Sequence, residues 1–198
     1  MMAKSPAGAF HRANALTYGS LFAGVMAIAA SLAARPGAAG ALIALAVIAD
    51  TFDGRFARRF ARSAAERDLG VQLDSLSDAI AFGIAPCVCM AGLVRGPVWA
   101  EIGWWIVPFV FAACAITRLA FYNLTHDAVR SFIGLPVPVA ALVVSSVLLA
   151  APSAGLAALA LLVTSAAMVL PIPVPRPTGY ALGAFVLWPL ALVLLHLA

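Results

Sequence analysis

Apolar residues along this chain gather into seven runs separated by short polar or proline-rich breaks: Ala15–Ala34, Ala38–Thr51, Leu73–Val94, Trp99–Tyr122, Leu135–Ala151, Gly155–Leu170 and Gly179–Leu195. A helix that crosses a bilayer needs about 20 such residues. The second run is short, and reaches that length only if its helix continues to Ala57 or beyond. Only Ala-Pro-Ser-Ala parts the fifth run from the sixth, a tight helix–helix connection, and Pro171, Pro173, Pro175 and Pro177 break the chain before the last run. The pattern predicts an all-α fold, a polytopic transmembrane helix bundle of six to seven spans, with residues 1–198 forming one integral membrane domain.

Composition agrees. The chain is 64% apolar and 10% charged, against about 45–50% and about 25% in soluble proteins, and its mean hydropathy is +1.05. That excludes an ordinary soluble domain. The first run lacks an obvious cleavage context and is expected to be a retained helix, not a secretory signal. Cys87, Cys89 and Cys114 all fall inside apolar runs, where small buried hydrophobes are expected rather than metal ligands or disulfides. His11, His126 and His196 share no ligand spacing and are given no role.

Charge sets an orientation. With the N-terminus in the cytoplasm and seven alternating spans, ten of the twelve basic residues lie inside and only Arg35 and Arg95 outside, a positive-inside signal. Arg55, Arg58, Arg59 and Arg62 follow i, i+3, i+4, i+7 spacing. They predict an amphipathic helix over Arg55–Leu69, lying on the cytoplasmic surface with its arginines near anionic headgroups.

Half of the eight acidic residues, Asp50, Asp53, Asp74 and Asp78, stand at the two ends of residues 50–78, where that stretch runs into apolar segments. A carboxylate at the centre of a membrane helix costs roughly 2.5–3.5 kcal/mol on insertion scales, so this concentration demands compensation. Asp50 and Asp53 share a helix face, as do Gly70, Asp74 and Asp78. Gly54 lies one turn after Asp50 and Ala57 one turn after Asp53, leaving room for something bulky against the backbone. Adjacent carboxylates resist joint ionisation. Oxygen-only ligands favour hard ions such as Mg2+, Ca2+ or Mn2+, and four carboxylates match two divalent ions in charge. Such a centre suits phosphoryl chemistry, with Arg58 as a cationic fork for phosphate oxygens.

The pattern Asp50-x-x-Asp53-Gly54-x-x-Ala57-Arg58, then Gly70-x-x-x-Asp74-x-x-x-Asp78, resembles the signature of the CDP-alcohol phosphotransferase family. These are integral membrane enzymes that move a phosphatidyl or phosphoalcohol group from a CDP-linked donor to an alcohol. Eleven residues separate Arg58 from Gly70; the family spacing is shorter by about three, close to one helical turn. The run Leu73–Pro86, the run Thr117–Asn123 and the run Phe132–Ala140 are similar to the corresponding segments of the family's phosphatidylserine synthase branch, although Phe121 stands where that branch usually carries a second basic residue. Asn14-Ala-Leu-Thr17 also fits the family's first helix.

The resemblance implies the following roles. Asp50, Asp53, Asp74 and Asp78 hold two ions, Mg2+ or Mn2+. Asn14, Gly54, Ala57, Arg58 and Gly70 contact the CDP part of the donor, and Asp78 is also the general base. CDP-diacylglycerol and L-serine are the implied substrates, phosphatidylserine and CMP the products, and a homodimer in the inner membrane with its active site facing the cytoplasm the implied setting. A serine carboxylate would need a cation in apolar surroundings, for which Arg118 is the candidate, with Asn123 beside it; Ser75 and Ser77 are expected to serve helix packing. The same chemistry with another acceptor (glycerol phosphate, an inositol compound, choline) or with an archaeal-type lipid donor stays open. A cation transporter is disfavoured, because Arg58 would repel its cargo and the carboxylates sit near one leaflet.

Overall fold

The computed structural model describes residues 10–93, 103–125, 132–175 and 179–198; Lys4, Arg95, His126, Arg130 and Arg176 lie outside them. A 3-10 turn at Arg12–Asn14 leads into α1 (Ala15–Leu32). Proline at the first position opens α2 (Pro36–Ala57), whose 22 residues span about 33 Å at 1.5 Å per residue. The helix therefore runs through Asp50 and Asp53, as its membrane length requires. The rod that follows is nearly continuous: α3 (Ala64–Asp78), a π-helical turn (Ala79–Ile84) and α4 (Ala85–Ala91). After it come α5 (Ile106–Thr125), α6 (Val137–Leu148), α7 (Ala154–Val169) and α8 (Tyr180–Leu197).

Among the described residues five rods are long and apolar enough to cross a membrane, with α3 to α4 counted as one, while α6 and α7 are shorter apolar helices. At 12 and 16 residues these two reach about 18 and 24 Å, less than the roughly 30 Å hydrocarbon layer. Ala151, at φ 43°, and the Ser153 cap on the Leu156 N–H make the tight turn between them. A two-residue antiparallel clip, β1 (Phe132–Ile133) on β2 (Pro173–Val174), closes the other end of this pair. Gly134 (φ 73°) follows β1 against the Met168 carbonyl, where a Cβ would collide.

The expected surface helix over Arg55–Leu69 does not form. The Arg59 and Phe60 amides donate to the Phe56 and Ala57 carbonyls, three residues back, so α2 tightens and stops. Ser63 then caps a new helix: its hydroxyl accepts from the Glu66 N–H, and the Glu66 carboxylate accepts from the Ser63 N–H. That reciprocal capping box is a strong helix start, and it overrides the arginine periodicity. The four arginines divide between the end of α2, the turn and the loop.

Small residues dominate the core, with Ala27, Ala39, Ala44, Ala46, Ala81 and Ala115 fully buried. Large apolar side chains such as Phe22, Phe109, Leu159 and Leu194 point outward instead. This inversion suits a lipid solvent, where close backbone packing replaces the hydrophobic effect between helices. α1 and α8 pack along α2, and α5 packs along α7. Cys87 and Cys89 are buried thiols, and Cys87 donates to the Gly83 and Pro108 carbonyls, as expected of small core residues.

Pro86 lacks an N–H, and the Ala85 N–H reaches back five residues to the Ile80 carbonyl. These two features make the π turn. It follows directly on Asp78 and lies against α1 at Gly24, where an added Cβ would stand 2.6 Å from Ala81 Cα. Gly24→Ala is therefore expected to destabilise the protein by about 1–3 kcal/mol, read as a lower melting temperature in detergent. Gly19→Ala, whose Cβ would meet nothing within 4 Å, is the control. Equal melting temperatures for the two variants would rule out the close α1 contact.

Candidate functional site

The last two turns of α2 and the last two turns of α3 bring their carboxylates together. Asp50 faces Asp78 and Asp53 faces Asp74, each pair within hydrogen-bonding reach. Carboxylate oxygens of Asp50, Asp74 and Asp78 all lie within 4.8 Å of one another. Asp78 is buried, and the other three carboxylates are half-buried. Asp53 stands at the edge of this triad, where its Oδ2 accepts a 2.9 Å hydrogen bond from Thr17 Oγ1. Thr17 is fixed in turn by Ser77, whose hydroxyl donates to the Thr17 carbonyl at 3.0 Å. Thr17 thus ties α1 to both acidic helices. Its position one turn after Asn14 was the available signal for it.

The triad fits a hard divalent cation. Every donor is a carboxylate oxygen, and Asp74 Oδ1 is buried with no hydrogen-bond partner, a state that costs about 1–3 kcal/mol for a neutral group and more for a charged one. The spacing brings three of the four expected ligands to one point, with the fourth adjacent.

Two cavities flank the carboxylates. One, of about 250 Å³, is lined by Asn14, Gly54, Ala57 and Gly70 together with Asp53 and Asp74. Asn14 is 4% exposed. The other, of about 700 Å³, is mostly apolar, with walls from Pro136, Val139, Leu182 and Phe185 and polar groups from Asp50 and Arg58. Four of the five expected donor contacts therefore share the first cavity, since Gly54 borders both, whereas Arg58 lines only the second. Sequence reasoning missed Arg62 and Arg67, which line the first, and Tyr122, which lines the second.

Arg118 is buried (7% exposed) and lies over the Tyr122 ring at 5.2 Å, within electrostatic reach of Asp78. It turns into the protein, unlike a headgroup anchor. Asn123 Nδ2 donates to Ser75 Oγ at 2.8 Å, so α5 is pinned to α3 beside the triad. Ser75 and Ser77 both serve helix packing, as expected.

Residues 10–173 match the family described as CDP-alcohol phosphatidyltransferase. The chain belongs to that family. A CDP-diacylglycerol–serine O-phosphatidyltransferase of Mycobacterium tuberculosis is 38% identical over 137 residues, 65% of this chain and 45% of the relative. An archaetidylserine synthase of Methanothermobacter thermautotrophicus is 34% identical over 157 residues, 79% of this chain and 66% of the relative. A CDP-diacylglycerol–serine O-phosphatidyltransferase of Bacillus subtilis is 30% identical over 132 residues, covering 63% and 68%. The chain spans a little under half the length of the mycobacterial relatives it matches.

The triad geometry generates a direct test. Asp74→Asn should weaken Mn2+ binding to the purified protein by 10-fold or more, measured by titration calorimetry, since it removes one of three converging charges. Asp68→Asn, at an exposed position outside the triad, should leave the affinity unchanged. Equal Mn2+ affinity for the two variants would remove the triad as a metal centre.

Proposed function

We propose that this family member transfers a phosphatidyl group from CDP-diacylglycerol to the hydroxyl of L-serine, releasing CMP. One observation carries this reading: converging carboxylates stand between a small cavity lined by Asn14, Arg62 and Arg67 and a larger one with an apolar wall of Pro136, Val139, Leu182 and Phe185. A CDP-linked lipid has the same division, a nucleotide at one end and acyl chains at the other, joined by the diphosphate at which the reaction occurs. The names of the relatives, several of them serine transferases at 30–38% identity, favour serine as acceptor.

In this reading Asp50, Asp53, Asp74 and Asp78 hold two divalent ions, Mg2+ or Mn2+. When bound, the ions supply charge neutralisation for the diphosphate. The nucleotide lies on the side of Asn14, Gly54, Ala57 and Gly70, where the absence of large side chains admits it against the backbone. Arg58 reaches the lipid-side phosphate from the apolar cavity. Asp78, the most buried of the four, takes the proton from the serine hydroxyl. The oxygen attacks the phosphorus next to the lipid, the bond from that phosphorus to the CMP oxygen breaks, and CMP leaves. Arg118 receives the serine carboxylate; its planar fork suits a carboxylate, and its burial strengthens the attraction. Asn123, held on Ser75, shapes the same side of the site.

The arginines around the end of α2 support a cytoplasmic orientation for this end, and family resemblance supports a homodimer. An archaeal-type lipid donor is the second reading, favoured by the archaetidylserine synthase that matches 79% of the chain.

CMP release from CDP-diacylglycerol in detergent micelles, with a panel of hydroxylated acceptors, tests the assignment. Serine is expected to be the productive acceptor, EDTA to abolish turnover and Mg2+ or Mn2+ to restore it; metal-independent turnover is incompatible with the mechanism. Asp78→Asn should lower kcat by at least about 100-fold, the scale of general-base catalysis. Arg118→Ala should raise the serine KM by 10-fold or more while the donor KM holds. An unaltered serine KM would place the acceptor elsewhere.

A further inference from the structure

The loop between α2 and α3 turns Arg62 back over Gly70. A Cβ on Gly70 would stand 3.1 Å from Arg62 Nη1 and 3.4 Å from Asn14 Oδ1. A guanidinium and a buried amide thus meet above the same bare stretch of backbone, inside the smaller cavity. Arg67 lies three residues before Gly70 on α3 and lines the same cavity. Its Nη1 donates to the Arg62 carbonyl at 2.8 Å, bracing the loop from below. The Ser63–Glu66 capping box fixes the next residue, and it occupies the nearest carboxylate in sequence: one Glu66 oxygen accepts from both the Ser63 N–H and the Ser63 hydroxyl.

Among the described residues neither Arg62 nor Arg67 takes part in an ion pair. A half-buried guanidinium, oriented by a structured loop and not neutralised by a carboxylate, is a binding group for an anion. The cavity it faces is bounded on the other side by Asp53 and Asp74, so an anion there would sit between the arginine and the metal centre. Arg58 and Arg55 line the apolar cavity instead. Two cationic groups therefore approach the carboxylate row from opposite sides.

We infer that Arg62 binds the nucleoside-side phosphate of the CDP-linked donor, the phosphate that departs with CMP, while Arg58 addresses the phosphate that stays with the lipid. The inference rests on the donor reading given above and assigns a donor contact to a residue outside the Asp-Gly-Ala-Arg signature. Arg67 is a positioning residue, holding the Arg62 backbone. On this account donor affinity is set on the loop and group transfer at the triad, so the two respond to different substitutions.

The test measures binding of CMP and of cytidine, in the presence of Mn2+, to the full chain in detergent, with wild type, Arg62→Gln and Arg62→Lys. Arg62→Gln is expected to weaken CMP binding about 10-fold, the scale of a lost charge-assisted hydrogen bond. It should raise the donor KM by a similar factor, with the serine KM unchanged. Cytidine, which has no phosphate, should bind all three proteins equally, whereas a merely structural role for Arg62 would weaken both ligands together. Arg62→Lys keeps the charge without the fork and should recover part of the CMP affinity, and it carries the test if the glutamine variant does not fold. Equal CMP affinity in wild type and a folded Arg62 variant would overturn the assignment while leaving the donor reading intact. Wild type that binds neither CMP nor CDP would overturn the donor reading itself, and the Arg62 assignment with it.

Discussion

Carboxylates set inside membrane-spanning helices have to be neutralised where they stand, and this requirement organises the surrounding structure. Asp50 lies about 10 Å from the end of α2 at the helical rise of 1.5 Å per residue, too far for a short acidic side chain to reach the headgroup region. The cost of roughly 2.5–3.5 kcal/mol per central carboxylate falls if the groups converge on shared cations. The fold brings them together: α2 and α3 offer two acids each, and oxygens from Asp50, Asp74 and Asp78 lie within 4.8 Å of one another. Thr17 holds the fourth, Asp53, from α1. The two acidic helices and α1 thus act as one unit, locked by side-chain bonds that would be weak in water but have few competitors in an apolar setting.

The convergence also depends on how closely the backbones approach. Gly24 lets α1 touch the π turn that follows Asp78. The turn exists because Pro86 cannot donate a backbone hydrogen bond, and it changes the helix just where the acidic stripe ends. Such turns are frequent at functional sites because they re-aim side chains without ending the helix. Here the acidic half of the rod faces the cavities, and the apolar half buries Phe82 and Met90 in the core.

The C-terminal third carries no catalytic motif, yet it builds the wall of the larger cavity. α8 contributes Leu182 and Phe185 to that wall and is anchored further along its length. Trp188 Nε1 donates to Ser146 Oγ at 3.1 Å. His196 Nε2 lies 3.0 Å from the Ser145 carbonyl, and its ring fills the notch left by Gly40 on α2. The isolated histidine, without a role in the sequence reading, is a packing residue that joins three helices. A pocket with acids on one side and lipid-like walls on the other needs this third of the chain for its shape.

The membrane class, the approximate runs of all seven apolar rods and the helical stripes of acids were legible in the residues, because hydropathy and the 3.6-residue period are local properties. The continuation of α2 to Ala57 followed from membrane thickness alone. The end of α2 did not: four arginines at helical spacing read as one surface helix, and the local signal that breaks it, Ser63 with Glu66 three residues on, was missed. What tertiary structure alone decided is which side of the carboxylates each cation occupies. Arg58 and Arg62 are four residues apart on one helical stripe in sequence, but the turn between them sends one to the larger cavity and the other over Gly70. Likewise Arg118 stands about two turns before the end of α5, where a long side chain could also extend toward the headgroups, and only packing over Tyr122 turns it inward. Direction across a helix pair depends on contacts between residues distant in sequence, and no local pattern encodes them.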